Sequence, residues 1–116
     1  MWYKFDSLNN KYIKCIPYNI KNYFTAISLA YWIMDDGYYQ NFDNTIYLCT
    51  ESFTKAECIK LQELLLGMGT SSGLKLRNKI NNTYRIRISS KSLPTLRDLV
   101  KPYIHPIFMY KLGKTT

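Results

Sequence analysis

The sequence predicts an α+β domain, an antiparallel sheet with helices on one face, in the order αββαββα. Three observations predict it. Two stretches, FTAISLAYWIMDDG and FTKAECIKLQELLLGMG, carry helix start and stop signals. Each is followed by a pair of short alternating segments joined by a polar turn, and strands joined that tightly pair antiparallel. A last helical pattern, SLPTLRDLV, closes the series. The chain has 116 residues, 47% of them apolar, which suits one domain with a real core.

Taken in order, residues 1–22 mix aromatics, Lys and Asn with Pro17 and read as an extended arm or linker; the domain proper is 23–116. In the first helix Thr25 is placed to cap, apolar and small residues run to Met34, and Gly37 is placed to stop it. YYQ and NTIYLCT, split by the turn-like NFDN, form the first hairpin, with Ile46 and Leu48 alternating against Thr45, Tyr47 and Cys49. In the second helix Thr54 and Glu57 have capping-box spacing, with Ser52 a competing cap. Ala56, Leu61, Leu64, Leu65 and Met68 can share one of its faces, and Gly67 and Gly69 end it. GLKLRNK and YRIRIS form the second hairpin around NNT. Ser90 or Ser92 can cap the last helix, Pro94 is tolerated only in its first turn, and Lys101–Pro102 ends it. YIHPIFMYKL closes the chain as a short helix or turn.

Composition excludes several classes. Cys15, Cys49 and Cys58 form no CxxC pair and His105 is the only histidine, so a structural zinc site is not expected. An odd, scattered set of cysteines also argues against a disulfide framework and for a reducing compartment. No apolar run is long enough to span a bilayer, and the N-terminal stretch carries neither a signal core nor an Arg/Ser-rich transit pattern. Abundant Ile, Lys, Asn and Tyr hint at an AT-rich, organellar or small genome.

Charge points to a polyanionic partner. Sixteen Lys and Arg stand against eight Asp and Glu, a formal net charge of +8. The positive residues are patterned. Leu74, Leu76, Tyr84, Ile86 and Ile88 alternate with Lys75, Arg77, Lys79, Arg85 and Arg87. Period-two geometry turns the apolar set toward the helices and all five cations toward the open face, with no acid among them. Like charges on neighbouring strands repel, and a phosphate backbone would relieve that. A two-stranded ribbon also fits the major groove, where Arg pairs with guanine. A merely solvated sheet face is the alternative, but such a face usually mixes signs. A membrane-surface role fits poorly, because no basic amphipathic helix presents the charge.

Asp35, Asp36 and Gly37 end the first helix, where the macrodipole disfavours acids and a divalent cation such as Mg²⁺ would compensate; an exposed Asp-Gly helix exit is the alternative. Ala26, Ala30, Ile33 and Gly37 share one helical face, which suits close helix–helix packing between two halves or, equally, packing on the chain's own sheet; Leu29 and Trp32 face the core.

The run from Leu29 to Gly37, LAYWIMDDG, resembles the LAGLIDADG motif of homing endonucleases in its LAYWxMDDG form. TIYLCTESFT, SSGLKLRNK, YRIRISSKS and LVKPYIHPIFMYKL are similar to the second half of two-motif group I intron endonucleases, and IPYNIKNYFT resembles the linker joining their halves. The likeness covers nearly the whole chain. It implies that two motif helices pack together, that Asp36 beside Gly37 binds the metal, and that Lys111 of the final YKL assists at the scissile phosphate. It implies that the sheet, through Lys75, Arg77, Lys79, Arg85, Arg87 and Tyr47, grips double-stranded DNA. Tyr31 and Met34 depart from the family name but occur in the LAYW variant, and Asp35 has the lesser role. The chain holds one motif, so cleaving both strands requires a second half, a copy of itself or a separate chain. The alternative is a derivative without cleavage that binds RNA as a maturase or a structural part of an organellar ribonucleoprotein or ribosome. A mitochondrial, organelle-encoded origin follows from the same resemblance.

Overall fold

The computed structural model describes residues 3–6, 11–14 and 24–113. Cys15 and most of the arm 1–22 lie outside the described residues; within the arm, β1 (Tyr3–Asp6) and β2 (Lys11–Lys14) pair antiparallel, Tyr3 opposite Lys14.

The first helix, α1 (Ala26–Asp36), starts where expected. Thr25 Oγ1 accepts from the Ser28 N–H at 3.3 Å and Ser28 Oγ accepts from the Thr25 N–H at 3.2 Å, a reciprocal box that satisfies two otherwise orphaned donors. The chain then turns straight into β3 (Gly37–Gln40). Gly37 stops the helix without a left-handed exit, since its φ is −89°. Its glycine is required by crowding: an added Cβ would sit 2.7 Å from the Ile33 carbonyl oxygen.

β4 (Thr45–Cys49) pairs antiparallel with β3, after a turn in which Asn44 takes φ 56°, a conformation that Asn tolerates. The next helix, α2 (Lys55–Gly67), is capped by Thr54 and not by Ser52. Thr54 Oγ1 accepts from Glu57 N–H, and Glu57 Oε1 accepts from Thr54 N–H at 2.9 Å. It ends as a Schellman motif: Gly69 at φ 82° donates to Leu66 O and Thr70 donates to Leu65 O. Its buried stripe is Cys58, Leu61 and Leu65 with Leu64 and Met68 alongside; Ala56, expected on that face, is exposed. Burial pushes the Cys58 thiol up, so this cysteine behaves as a small core hydrophobe.

β5 (Ser72–Asn78) and β6 (Thr83–Ile88) form the second hairpin, with Asn82 at φ 53° in its turn. The sheet order is β3-β4-β6-β5, all neighbours antiparallel. A 3₁₀ turn, Ser90–Ser92, leads into α3 (Leu93–Val100). Ser92 stands at the cap position, but its hydroxyl is engaged elsewhere, accepting from the Ser71 N–H at 3.0 Å. Short 3₁₀ segments, Lys101–Tyr103 and Pro106–Leu112, finish the chain, and Arg97 Nε ties the latter to α3 by donating to Leu112 O at 2.7 Å.

Helices and C-terminal turns cover one sheet face. Ile46, Leu48, Ile86 and Ile88 from the strands meet Leu29, Trp32, Leu61, Leu65, Leu96 and Leu112 in one cluster. Truncating any of these to Ala costs about 2–5 kcal/mol, because apolar surface is no longer buried and a cavity is left behind. Leu74 and Tyr84 pack at its margin, but Leu76 is 53% exposed, because β5 and β6 run on past the helical layer.

Two expectations for α1 need correction. Leu29 and Trp32 do face the core, but so do Ala30 and Ile33, both at 0% exposure, so these two cannot face a partner. The small Ala30 instead allows close packing within the chain, where α1 meets α3 and the sheet; Ala26 is only half-buried. The stripe left outward, at helical spacing, is Ile27 and Tyr31, 47% and 62% exposed, followed by Asp35.

Candidate nucleic-acid interface

The uncovered sheet face carries the cations, in a register that the ladder fixes. Lys75 of β5 stands opposite Arg85 of β6, and Arg85 and Arg87 stand opposite Cys49 and Tyr47 of β4. Tyr47 in turn faces Tyr38 of β3. Tyr38, Gln40, Tyr47, Lys75, Arg77 and Arg85 line one shallow groove on this face.

The alternation does not run to the end of β5. Leu76 pairs Tyr84 and Asn78 pairs Thr83, so Arg77 is the extra residue of a bulge. It still reaches the groove. Lys79 does not belong to the strand: it lies exposed in the turn beyond, where the period-two count no longer applies.

The face is also not free of acid, contrary to expectation. Asp43 and Glu51 flank β4 and reach back over it. Arg85 donates through Nε to Glu51 Oε1 at 2.5 Å and through Nη1 to the Tyr38 hydroxyl at 2.9 Å. Arg87 donates through Nε to Asp43 Oδ2 at 3.2 Å, and the Tyr47 hydroxyl donates to the same oxygen. Tyr38 and Tyr47 stack at 5.4 Å and 17° between planes, and the Arg85 guanidinium lies 5.4 Å from the Tyr38 ring centre. Glu51, Arg85, Tyr38, Tyr47, Asp43 and Arg87 therefore make one continuous network across three strands.

Its electrostatics follow from those pairings. The Tyr47 hydroxyl and then the Arg87 guanidinium hold the Asp43 carboxyl below the ordinary carboxylate range. Burial, then the adjacent Asp43, pushes the Tyr47 phenol up. The Glu51 hydrogen bond holds Arg85 more firmly protonated than usual. The signal for both acids was present in the chain. Asp43, Thr45, Tyr47, Cys49 and Glu51 share one parity, so extending the strand by one step at each end finds them.

A second group gathers at the carboxyl end of α1. Lys111 Nζ donates to the Met34 carbonyl at 2.5 Å and lies 5.3 Å from the Phe108 ring centre. Seventy-seven residues apart in sequence, Lys111 and the last turn of α1 are thus brought together. A cation there also offsets the negative helix end. Asp36 closes that turn half-buried, with Oδ2 inaccessible to solvent, while Asp35 is exposed. Gly37, next to Asp36, is buried and offers a ligand only its backbone oxygen. Among the described residues no three His, Cys, Asp or Glu side chains converge as a metal site. A single carboxylate fits Mg²⁺, which uses one or two carboxylates and fills its shell with water and substrate phosphates. Nor is any helix of the described residues long and apolar enough to cross a membrane.

The chain is similar to known proteins in sequence and fold. Residues 2–96 match the model of the LAGLIDADG DNA endonuclease family. DNA endonuclease I-ChuI of Chlamydomonas applanata is 30% identical over 118 residues, covering 97% of this chain and 54% of that protein. Cytochrome b mRNA maturase bI2 of Saccharomyces cerevisiae is 34% identical over 113 residues, covering 97% of this chain and 26% of that protein. Among solved structures, the homing endonuclease I-WcaI bound to its DNA recognition sequence superposes with a TM-score of 0.76 at 26% identity, over 99% of this chain and 63% of that one. This chain thus spans about half the length of I-ChuI, and less of the maturase. The motif at the end of α1, the αββαββα order and the match over most of the sequence agree, and the chain belongs to the LAGLIDADG DNA endonuclease family.

Proposed function

We propose that the chain is one half of a metal-dependent DNA endonuclease, which binds duplex DNA on its open sheet face and cleaves phosphodiester bonds once paired with a second half. The observation that carries this is that Lys111 bonds to the Met34 carbonyl in the last turn of α1, the turn that Asp36 closes, next to the strand that leads into the basic face. The DNA-bound structural relative and the DNA endonuclease among the sequence relatives support it.

In this reading Asp36 supplies one carboxylate to a divalent cation, Mg²⁺ or similar, and the backbone oxygen of Gly37 is a second candidate ligand. When bound, such a cation polarises water and neutralises the leaving oxygen. Lys111 places a positive charge where the transition state gains negative charge. Lys75 and Arg77, with Lys79 from the adjoining turn, meet phosphates, while Arg85, Arg87 and Tyr47 meet bases. The second half, a copy of this chain or a separate one, packs on the outward stripe of α1 formed by Ile27 and Tyr31. Exposed Tyr103 and Ile107 flank a hollow beside that stripe, which supports a partner there.

Incubation with Mg²⁺ and candidate target duplexes should yield cuts that Asp36→Asn abolishes while DNA binding persists. If the chain cuts nothing, alone or with its partner half, the nuclease reading fails and DNA binding stands by itself. A second reading is favoured by the maturase relatives, which include bI2 of Debaryomyces hansenii at 32% identity: the chain retains the sheet and acts on RNA. Competition between duplex DNA and structured intron RNA separates the two. The cytochrome b mRNA named in these relatives fits a mitochondrial origin.

A further inference from the structure

We infer that Asp43 and Glu51 are positioning residues that lock Arg87 and Arg85 as readers of guanine in the major groove. The inference rests on the duplex-binding reading above and deepens it.

An arginine free on a sheet surface samples many rotamers and loses that entropy when it binds. These two do not sample freely. Each is gripped by a carboxylate through Nε, the corner of the guanidinium nearest the backbone. Arg85 is held again by the Tyr38 hydroxyl and by that ring's face. With Nε engaged, Arg87 keeps its whole terminal Nη edge for a ligand, and Arg85, whose Nη1 already donates one hydrogen to Tyr38, keeps Nη2 and the second Nη1 hydrogen of that edge. That edge is the geometry that pairs end-on with O6 and N7 of guanine. Both side chains keep access to solvent, 23% for Arg85 and 30% for Arg87. Their positions on β6, opposite Cys49 and Tyr47 of β4, put them near the middle of the face.

A purely electrostatic account of DNA binding makes the two acids a liability, because each cancels a cation on the binding face. Among the described residues Lys75, Arg77 and Lys79 make no ion pair, so the carboxylates bond directly to the two arginines, and Asp43 reaches Lys75 only through a weaker, longer-range attraction. Neutralising the arginines makes little sense for gripping phosphate. It makes sense if their task is directional. The tyrosines extend the grip: Tyr47 holds the same Asp43 oxygen and stacks on Tyr38, so the two arginines are buttressed by one unit.

The experiment compares the full chain with Asp43→Ala, Asp43→Asn and Glu51→Ala in selection from a duplex pool with a randomised centre, without Mg²⁺. Affinity is then measured on a selected duplex and on copies with single guanines replaced. Charge alone predicts that each Ala variant binds every duplex more tightly by the same factor. Positioning predicts that affinity for altered duplexes rises while discrimination for one guanine per variant falls about tenfold. Asp43→Asn, which keeps an acceptor for Nε, should restore most of that discrimination. The Arg Nε–H resonances of the free protein supply a check independent of DNA: protected in the wild type, they should exchange freely in the Ala variants. Unchanged discrimination in folded Ala variants overturns the inference and leaves duplex binding intact. No enrichment of any duplex by the wild type overturns the duplex-binding reading itself, and the inference with it.

Discussion

Removing Lys75 and Arg77 together should change how binding responds to salt more than removing Arg87 together with its acid. Both Lys75 and Arg77 line the groove, and neither has a carboxylate partner among the described residues. Each phosphate left without its cation lowers the slope of log K against log salt by about 0.9, so Lys75→Ala with Arg77→Ala should flatten it by about 1.8. Between about 50 and 200 mM salt, a slope change of that size alters the ratio of affinities roughly twelvefold. The paired change Arg87→Ala with Asp43→Ala removes one charge of each sign. It should leave the slope within error of the wild type while lowering sequence discrimination. Fluorescence anisotropy on one labelled duplex across a salt series measures the slopes, and the same assay on a duplex with one guanine replaced measures the discrimination. An unaltered slope in the Lys75 and Arg77 double variant, or an equal flattening in the Arg87 and Asp43 double variant, would refute the division of the face into phosphate-gripping and directional cations.

Other outcomes follow from single interactions. Gly37→Ala should lower stability by about 1–3 kcal/mol in a denaturant titration, because its Cβ would meet the Ile33 carbonyl oxygen at 2.7 Å. Lys111→Met should cost about 1 kcal/mol by removing the bond to the helix end, and should suppress cleavage while leaving binding in place. Asp43 titrates below its ordinary value in the folded chain, so the unfolded chain takes up its proton first as pH falls. The stability it lends is present above about pH 4 and disappears as pH drops through the lower folded value. Asp43→Asn should therefore remove part of the acid-induced loss seen in pH-dependent melting. Tyr31→Arg on the outward stripe of α1 should leave the monomer folded and block association in sedimentation, since Tyr31 is 62% exposed.

How far the fold was legible can be told from particular residues. From α1 onward the order of elements, the two hairpins and the Thr25 and Thr54 starts are local facts, and local chemistry announced them; the β1–β2 pair inside the arm reads only as an extended segment. Competition between Thr54 and Ser52 was settled by where the box closes. The failures are of a different kind. Ala30 and Ile33 have the spacing of an interface, but helical spacing is blind to whether the facing surface belongs to the same chain; α3 and the sheet took that face. Leu76 and Lys79 obey the alternation on paper, yet a bulge at Arg77 and the end of helical cover put both in solvent. Of the site, the cations Lys75, Arg85 and Arg87 were readable because a strand fixes sides. Lys111 beside α1 was implied only by the family resemblance, as no local pattern links residues so distant.

The repulsion expected among strand cations explains why the acids matter beyond their count. Lys75 faces Arg85 directly across the ladder, and such a pair destabilises a sheet with nothing bound. A bound phosphate backbone is one remedy, but it acts only in the complex, and the chain must fold before it binds. Glu51 and Asp43 supply the remedy in the free protein, and they do so from positions just outside β4, where a carboxylate can lie over the face without occupying a strand site that bases would need. Folding therefore selects acids near the arginines, and binding selects against acids near the phosphates. Carboxylates at both ends of β4, with none paired to Lys75 or Arg77 among the described residues, are what those opposed demands produce on a small, strongly basic sheet.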